Sequence, residues 1–506
     1  MGENQTLREK QNGGIEYIAK YIICAIAIIF IIQYLIIAFS RINYSFELEW
    51  MEGGMVDHLK KAYEGKHIYG PPTLEFVPYI YTPFYPYLSV LFAKITGIGF
   101  IPMRLISLLS SLGSMAILFF FIRKETKDMF LGIIGAGLFA ATFKIGGAWF
   151  DIARVDSLFV WLILATMYGL RFSITWKACI ISGICAFLAF FTKQVALFIL
   201  IPMIIYTFIY NWKHGFIILL IFGGLTISST LYFNYISNGW YNYYIFDLPS
   251  QHSIDPGLAG EFWKTNLINK VPVALCAIIS LLPLYFVKSN NEHKKYFFYF
   301  LIVIATIGGS FYSKLHPGGW DNVLIPAYAG IMLVTIISVS EIFKYYEIQK
   351  SKYVNIIKIC IFGALIIQFG MLMYKPAEQI PTRQDRESGE KFVETLKSLP
   401  EETIIPYHGY LSFMTGKKPN AQAMALFDIM LKGKNGEVKE KLGSEIINAI
   451  ESKKYKIIIL DENGWWFQPV LEKNYEKYGK IFDESDTFWP VTGLKVRPQY
   501  IYKAKQ

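Results

Sequence analysis

Charge is what this sequence has least of. Asp, Glu, Lys and Arg make up 17% of its 506 residues, where soluble globular chains carry about a quarter. Apolar residues reach 54%, gathered in long runs, with a mean hydropathy of +0.35. That pattern excludes a soluble enzyme and predicts a polytopic membrane protein. Cysteine is scarce too. Cys24, Cys179, Cys185, Cys276 and Cys360 all fall inside apolar runs and none has ligand spacing, which excludes a disulfide framework or a cysteine metal site. The polar C-terminal part lacks a Gly-rich phosphate loop, and the chain has no internal repeat or low-complexity tract. A net charge of +10 comes without any Lys/Arg block interleaved with aromatics. Nucleic acid is therefore not an expected partner, and positively charged inner loops account for the excess.

Hydropathy predicts eleven spans, near residues 18–39, 102–122, 129–147, 157–171, 178–190, 195–210, 215–236, 269–287, 296–312, 322–340 and 354–373. The first, following a polar N-terminus, is too long for a signal core and lacks a small-residue cleavage site, so a retained span is expected. With the N-terminus in the cytoplasm, the inner loops hold Arg123, Lys124, Lys127, Arg171, Lys177, Lys213, Lys288, Lys294, Lys295, Lys344, Lys350 and Lys352. The short outer loops hold fewer cations, and an odd number of spans leaves the C-terminus outside. The expected architecture is a transmembrane domain of residues 1–373, with a first outer loop over 41–101. A small extracytoplasmic α/β domain follows over 374–506, with strands at 402–407 and 455–462 and a helix near 388–398.

This orientation puts every unusual polar cluster on one face. The first outer loop, from ELEWMEGGMVDH to YIYTPF, carries Glu47, Glu49, Glu52, Asp57, Glu64 and Glu75 with His58 and His67. Carboxylates at a bilayer surface are costly unless paired or used. Within it Met55, Leu59 and Ala62 form an apolar stripe at helical spacing, which predicts a short helix resting in the interface. FYPYLSVLFAKITG, broken by Pro86, is too short to cross and is expected to lie along the surface. The other outer segments are GGAWFDIARVDS, the FTKQ turn, the YYIFDLPSQHSID loop and the SKLHPGGWDN loop.

Two acidic groups stand on separate outer loops: Glu49 with Glu52, and Asp151 with Asp156 around Arg154. Glycosyl transfer to a hydroxyl needs a carboxylate to take the proton as the oxygen attacks. It also needs cations to hold the departing phosphate. Glu49 or Glu52 suits the first task. Arg154, Lys193 and His316 suit the second. Each has a plainer alternative: Asp151 and Arg154 neutralising one another, Lys193 reaching for headgroups, His316 as a loop histidine, Glu52 as a helix cap.

The layout resembles the GT-C superfamily of membrane glycosyltransferases: an acidic first outer loop, an interfacial helix ending in a Pro/Tyr turn, an R-x-D-S-L second outer loop and an outward C-terminal domain. Within it, residues 1–373 resemble family 39-type, dolichyl-phosphate-mannose-protein mannosyltransferase-like bacterial proteins, relatives of the lipid A aminoarabinose transferases. Arg154, Asp156 and Ser157 match the second-loop pattern. TPFYPYL resembles the family's Pro/Tyr turn, with Tyr81 where a phosphate-contacting lysine often sits; Lys193 in FTKQ matches the lysine after the fifth span; NVLIPAYAG resembles a late-span segment. The resemblance implies an inverting transferase moving a sugar from a polyprenyl-phosphate carrier to an acceptor outside the cell: glycolipid, cell-envelope polysaccharide or protein. The implied catalytic set is Glu49, Glu52 and Asp156, with Asp151, Arg154, Lys193, Tyr81 and His316 binding substrate. No cofactor and no metal site are assigned; a divalent cation on the acidic pair stays open. The rival readings are a transporter or flippase of lipid-linked sugars, which predicts mid-span charges and symmetric halves, and a non-catalytic assembly subunit.

Overall fold

A backbone in lipid must satisfy its own N–H and C=O groups, so apolar runs fold as helices. Ten of the eleven expected spans each coincide with a helix in the computed structural model, which describes residues 2–173, 175–287, 290–462, 466–482 and 487–506. Lys288, counted above among the inner cations, lies outside them. The expected span 269–287 falls instead on two helices, Pro272–Ile279 and Leu281–Val287. The first helices are α1 (Gly2–Arg41), α2 (Glu52–Tyr63), α3 (Phe84–Thr96), α4 (Phe100–Thr126) and α5 (Met129–Ala141). Then come α6 (Asp156–Phe172), α7 (Trp176–Thr192), α8 (Ala196–Tyr210) and α9 (Trp212–Ile236). After a broken span come α10 (Asn290–Lys314), α11 (Ile325–Ile348) and α12 (Val354–Met371).

Among the described residues six helices are long and apolar enough to cross a membrane. A seventh forms if Leu258–Ile268 and Pro272–Phe286, bent by 88°, act as one span. The fold is that of a polytopic α-helical membrane protein. α5, α7 and α8 are apolar but shorter. α3, with 13 residues, is the surface helix the sequence predicted, and it leaves Leu91 and Ile95 exposed.

Packing follows composition. The span containing α11 has 94% of its apolar window buried and is the central helix, whereas α9 has 11% and lies outermost. Small residues let helices touch. A Cβ on Gly137 would sit 2.5 Å from the Ala27 Cα, so α1 and α5 pack backbone to backbone. One end of the bundle carries a closed ionic cluster. Glu125 pairs with Arg171 at 2.9 Å, and Glu341 pairs with Lys295 at 2.9 Å and Lys344 at 3.0 Å.

The other end bears the C-terminal domain. Thr382 and Asp385 form a reciprocal cap that starts α13 (Arg383–Ser398); α14 (Ala423–Met430) and α15 (Glu437–Glu451) follow. Its sheet runs β1-β2-β4-β3, with β1 (Thr403–Ile404) parallel to β2 (Ile457–Leu460). β3 (Tyr475–Lys480) and β4 (Tyr500–Ala504) add antiparallel pairs. β1 is shorter than expected because Pro406, without an N–H, opens a 3₁₀ turn. β3 escaped the sequence reading because its exposed residues include Glu476, Lys477 and Lys480, which break the apolar pattern.

The domain is bound to the first loop rather than tethered beside it. The Ala421 amide donates to the Leu74 carbonyl at 2.9 Å, and the Thr492 amide to that of Leu48 at 3.2 Å. His408 is buried between Glu47, on Nδ1, and Asp461, 2.7 Å from Nε2. Burial alone would lower its pKa, but Asp461 and Glu47 outweigh that and push it up to about 10. His408 is thus a buried imidazolium clasp between the two domains.

Candidate functional site

The first outer loop makes two glutamates from one turn do different things. Glu52 opens α2 and is fully buried. Arg104, a lone cation near the start of α4, grips both its oxygens, at 3.0 and 2.8 Å. The Ala153 and Leu48 amides donate to the same two oxygens, each at 2.6 Å. Burial disfavours its charge, yet Arg104 and these amides hold its pKa below the ordinary glutamate range. Arg104 also donates to the Arg41, Tyr44 and Phe46 carbonyls. Glu52, expected with Glu49 as a base, is instead the hub joining the loop, α4 and the second loop.

Glu49 is buried but incompletely paired. Its Oε2 accepts from Arg154 Nη1 at 2.8 Å, and Oε1 has no hydrogen-bond partner among the described residues. Burial, opposed by Arg154, pushes its pKa up to about 7. Over it lies the C-terminal domain: a Cβ on Gly493, where φ is +72°, would meet Glu49 Cγ at 2.7 Å. Thr492 beside it holds the Trp149 indole at 3.3 Å and donates to the Gly147 carbonyl.

The second loop turns sharply at Gly147 and Ala148, both with positive φ, which presents Trp149 and Arg154 inward. Arg154 bonds the Tyr81 hydroxyl at 3.0 Å, and its guanidinium lies 4.8 Å from the Trp149 ring; its Nε is buried without a partner. Asp156, in the first turn of α6, accepts from Lys193 at 2.7 Å and from Asn322 at 3.0 Å through Oδ1. Its buried Oδ2 has no partner. Asp151 corrects the expectation. It neither binds Arg154 nor reaches the substrate space, because Arg41 takes both its oxygens at 2.7 and 2.5 Å.

These groups border a cavity of about 420 Å³ between the membrane helices and the C-terminal domain. Arg154, Lys193, Tyr81 and His316 line it; Glu49 and Asp156 sit directly behind the two cations. His316 is held by the Ser253 carbonyl at 3.2 Å. Leu197, Phe198, Ile245, Phe246 and Val323 give the cavity an apolar side, and Phe198 is 55% exposed on the flank of the bundle. The arrangement offers cations to an anion and an apolar flank to a hydrocarbon, with the raised-pKa carboxylate of Glu49 held behind Arg154.

Sequence reasoning missed Arg41, Arg104, His252, Asp428 and Lys432. A cation inside an apolar run was a usable signal for Arg104; for Asp428, on α14, and Lys432, just after it, there was none. Among the described residues no three His, Cys, Asp or Glu side chains gather as a cation would require. No step is derived through a divalent ion.

No family model matches the sequence, and no curated protein does. Solved structures do match. ArnT from Cupriavidus metallidurans bound to undecaprenyl phosphate superposes with a TM-score of 0.58 at 10% identity, over 94% of this chain and 97% of that one. Its apo state gives 0.56 at the same identity and coverage. An Archaeoglobus fulgidus oligosaccharyltransferase in complex with Zn and sulfate gives 0.48 at 12% identity, over 89% of this chain and 71% of that one. With ArnT the likeness runs through both domains, and it is one of fold.

Proposed function

Proceeding from the GT-C superfamily fold that this chain carries, we propose that it is an inverting membrane glycosyltransferase using a polyprenyl-phospho-sugar. The carrying observation is the cavity, which Arg154 and Lys193 line together with the apolar side chains of Leu197, Phe198, Ile245, Phe246 and Val323. An anionic head on a long hydrocarbon tail fits both. ArnT, of the same fold, has been seen with undecaprenyl phosphate bound, which supports that class of lipid.

In this reading Glu49 takes the proton of an acceptor hydroxyl as its oxygen attacks the anomeric carbon. The bond from that carbon to the phosphate oxygen breaks, and its electron pair stays with the phosphate. Arg154 and Lys193 hold the charge that develops there, Tyr81 orients Arg154, and Asp156 holds Lys193 in place. The unpartnered Glu49 Oε1, Arg154 Nε and Asp156 Oδ2 support this assignment, since buried polar groups without partners are costly unless a ligand meets them. We place the cavity on the extracytoplasmic face, with the N-terminus in the cytoplasm, because the basic loops cluster at the other end. The acceptor is a hydroxyl of a glycolipid, envelope polysaccharide or protein.

The test uses the full-length protein in vesicles supplied with undecaprenyl-phospho-sugars labelled in the sugar. Wild type should transfer label covalently with inversion, and Glu49→Gln should not. Undiminished transfer by Glu49→Gln would remove the base. Label accumulating in vesicles without a new covalent bond would point to a flippase.

A further inference from the structure

Among the described lining residues of the cavity there is one carboxylate, and it comes from the C-terminal domain: Asp428 on α14. It is 3% exposed. Lys432, one turn on, donates to its Oδ1 at 3.1 Å. His252, from the loop before the broken span, meets the Asp428 carbonyl at 3.2 Å and fixes that turn against the membrane domain. Asp428 Oδ2 takes no partner among the described residues and is not one of the fully sealed atoms.

A carboxylate repels a phosphate, so Asp428 does not serve the end of the cavity where Arg154 and Lys193 stand. It accepts hydrogen bonds and, beside a lysine that donates them, makes a bracket suited to adjacent hydroxyls, each both donor and acceptor. Asp428 and Lys432 line the same cavity as Arg154 and Lys193, so a group hung from a phosphate at the second pair shares that space with the first.

We propose that Asp428 and Lys432 read the hydroxyls of the sugar on the donor, so that the C-terminal domain is a specificity element of the site. This rests on the polyprenyl-phospho-sugar reading and adds which part of the chain selects the sugar. Asp428 is here a binding group; the proton-accepting role stays with Glu49.

Full-length protein in nanodiscs, titrated by native mass spectrometry, separates the two. The probes are bare undecaprenyl phosphate and its phospho-hexose, phospho-N-acetylhexosamine and phospho-pentose derivatives. Wild type should bind one sugar-bearing carrier at least about tenfold tighter than the bare one, the scale of one or two charge-assisted hydrogen bonds. Asp428→Asn should lose that preference to within about twofold while binding the bare carrier as before. Should Asp428→Asn fail to fold, Lys432→Gln, which keeps Asp428 in place, must still reduce the preference. Wild type without any sugar preference, or variants that keep it, overturns the proposal while leaving the carrier site standing. Wild type blind to bare undecaprenyl phosphate, with Arg154→Gln no different, overturns the carrier site itself.

Discussion

Glu49 and Glu52 belong to one loop, are both buried and each faces an arginine, yet they differ in how completely they are satisfied. Glu52 has two amides and a two-toothed arginine. Glu49 has one arginine nitrogen and an idle oxygen. Removing one partner of a closed buried pair strands a charge; an open pair is held ready for a group that arrives later. Burial alone therefore does not separate structural from functional charge.

The comparison breaks most sharply on substitution. Glu49→Gln should lower sugar transfer about 10²–10⁴-fold, the usual worth of a general base, while thermal unfolding moves little. Glu52→Gln should cost about 3–5 kcal/mol of stability, seen as a large drop in unfolding temperature in detergent. If those phenotypes exchange places, the assignment is inverted.

Proton linkage sharpens the contrast. With Glu49 raised to about 7, the base form grows as pH rises, so the initial transfer rate should climb through about pH 7 and level off above it. A rate already flat from pH 5 would take Glu49 out of the step. His408 runs the other way. Its folded pKa of about 10 lies above the ordinary histidine value, so the stability its protonation contributes is present below about 6.5 and is lost as pH rises through about 10; Glu47, pushed up to about 8 by burial, also costs stability as it ionises with rising pH. Limited proteolysis between α12 and α13 should accelerate over that window, and His408→Ala should flatten the response. The smallest effect belongs to a pair that is neither buried nor in the cavity: Glu64 and Lys66 meet at 2.7 Å with Lys66 66% exposed. Lys66→Ala should change stability by less than about 1 kcal/mol and leave transfer unchanged.

The apolar helices and the short helices α2 and α3 were legible because hydropathy and helical spacing are local properties. Arg154, Lys193, Tyr81 and His316 could be named as candidates because charged or amphipathic side chains on loops beside lipid are few. Choosing between Glu49 and Glu52 was beyond the sequence, since both show the same residue type at the same kind of position. Asp151 was misjudged for a related reason: Arg154 is its near neighbour in the chain, but Arg41, far off in sequence, is its partner in space.

Composition by itself determined that this chain lives in a bilayer, where its helices start and stop, and that its polar chemistry gathers beyond their ends. Those follow from solvent transfer and backbone hydrogen bonding, which act residue by residue. Tertiary structure alone decided that Arg104 closes one glutamate while Arg154 leaves the other open, and that α14 brings Asp428 to the far wall of the cavity. Hydrogen-bond saturation is a property of atoms meeting across distant segments, and nothing in the order of residues states it.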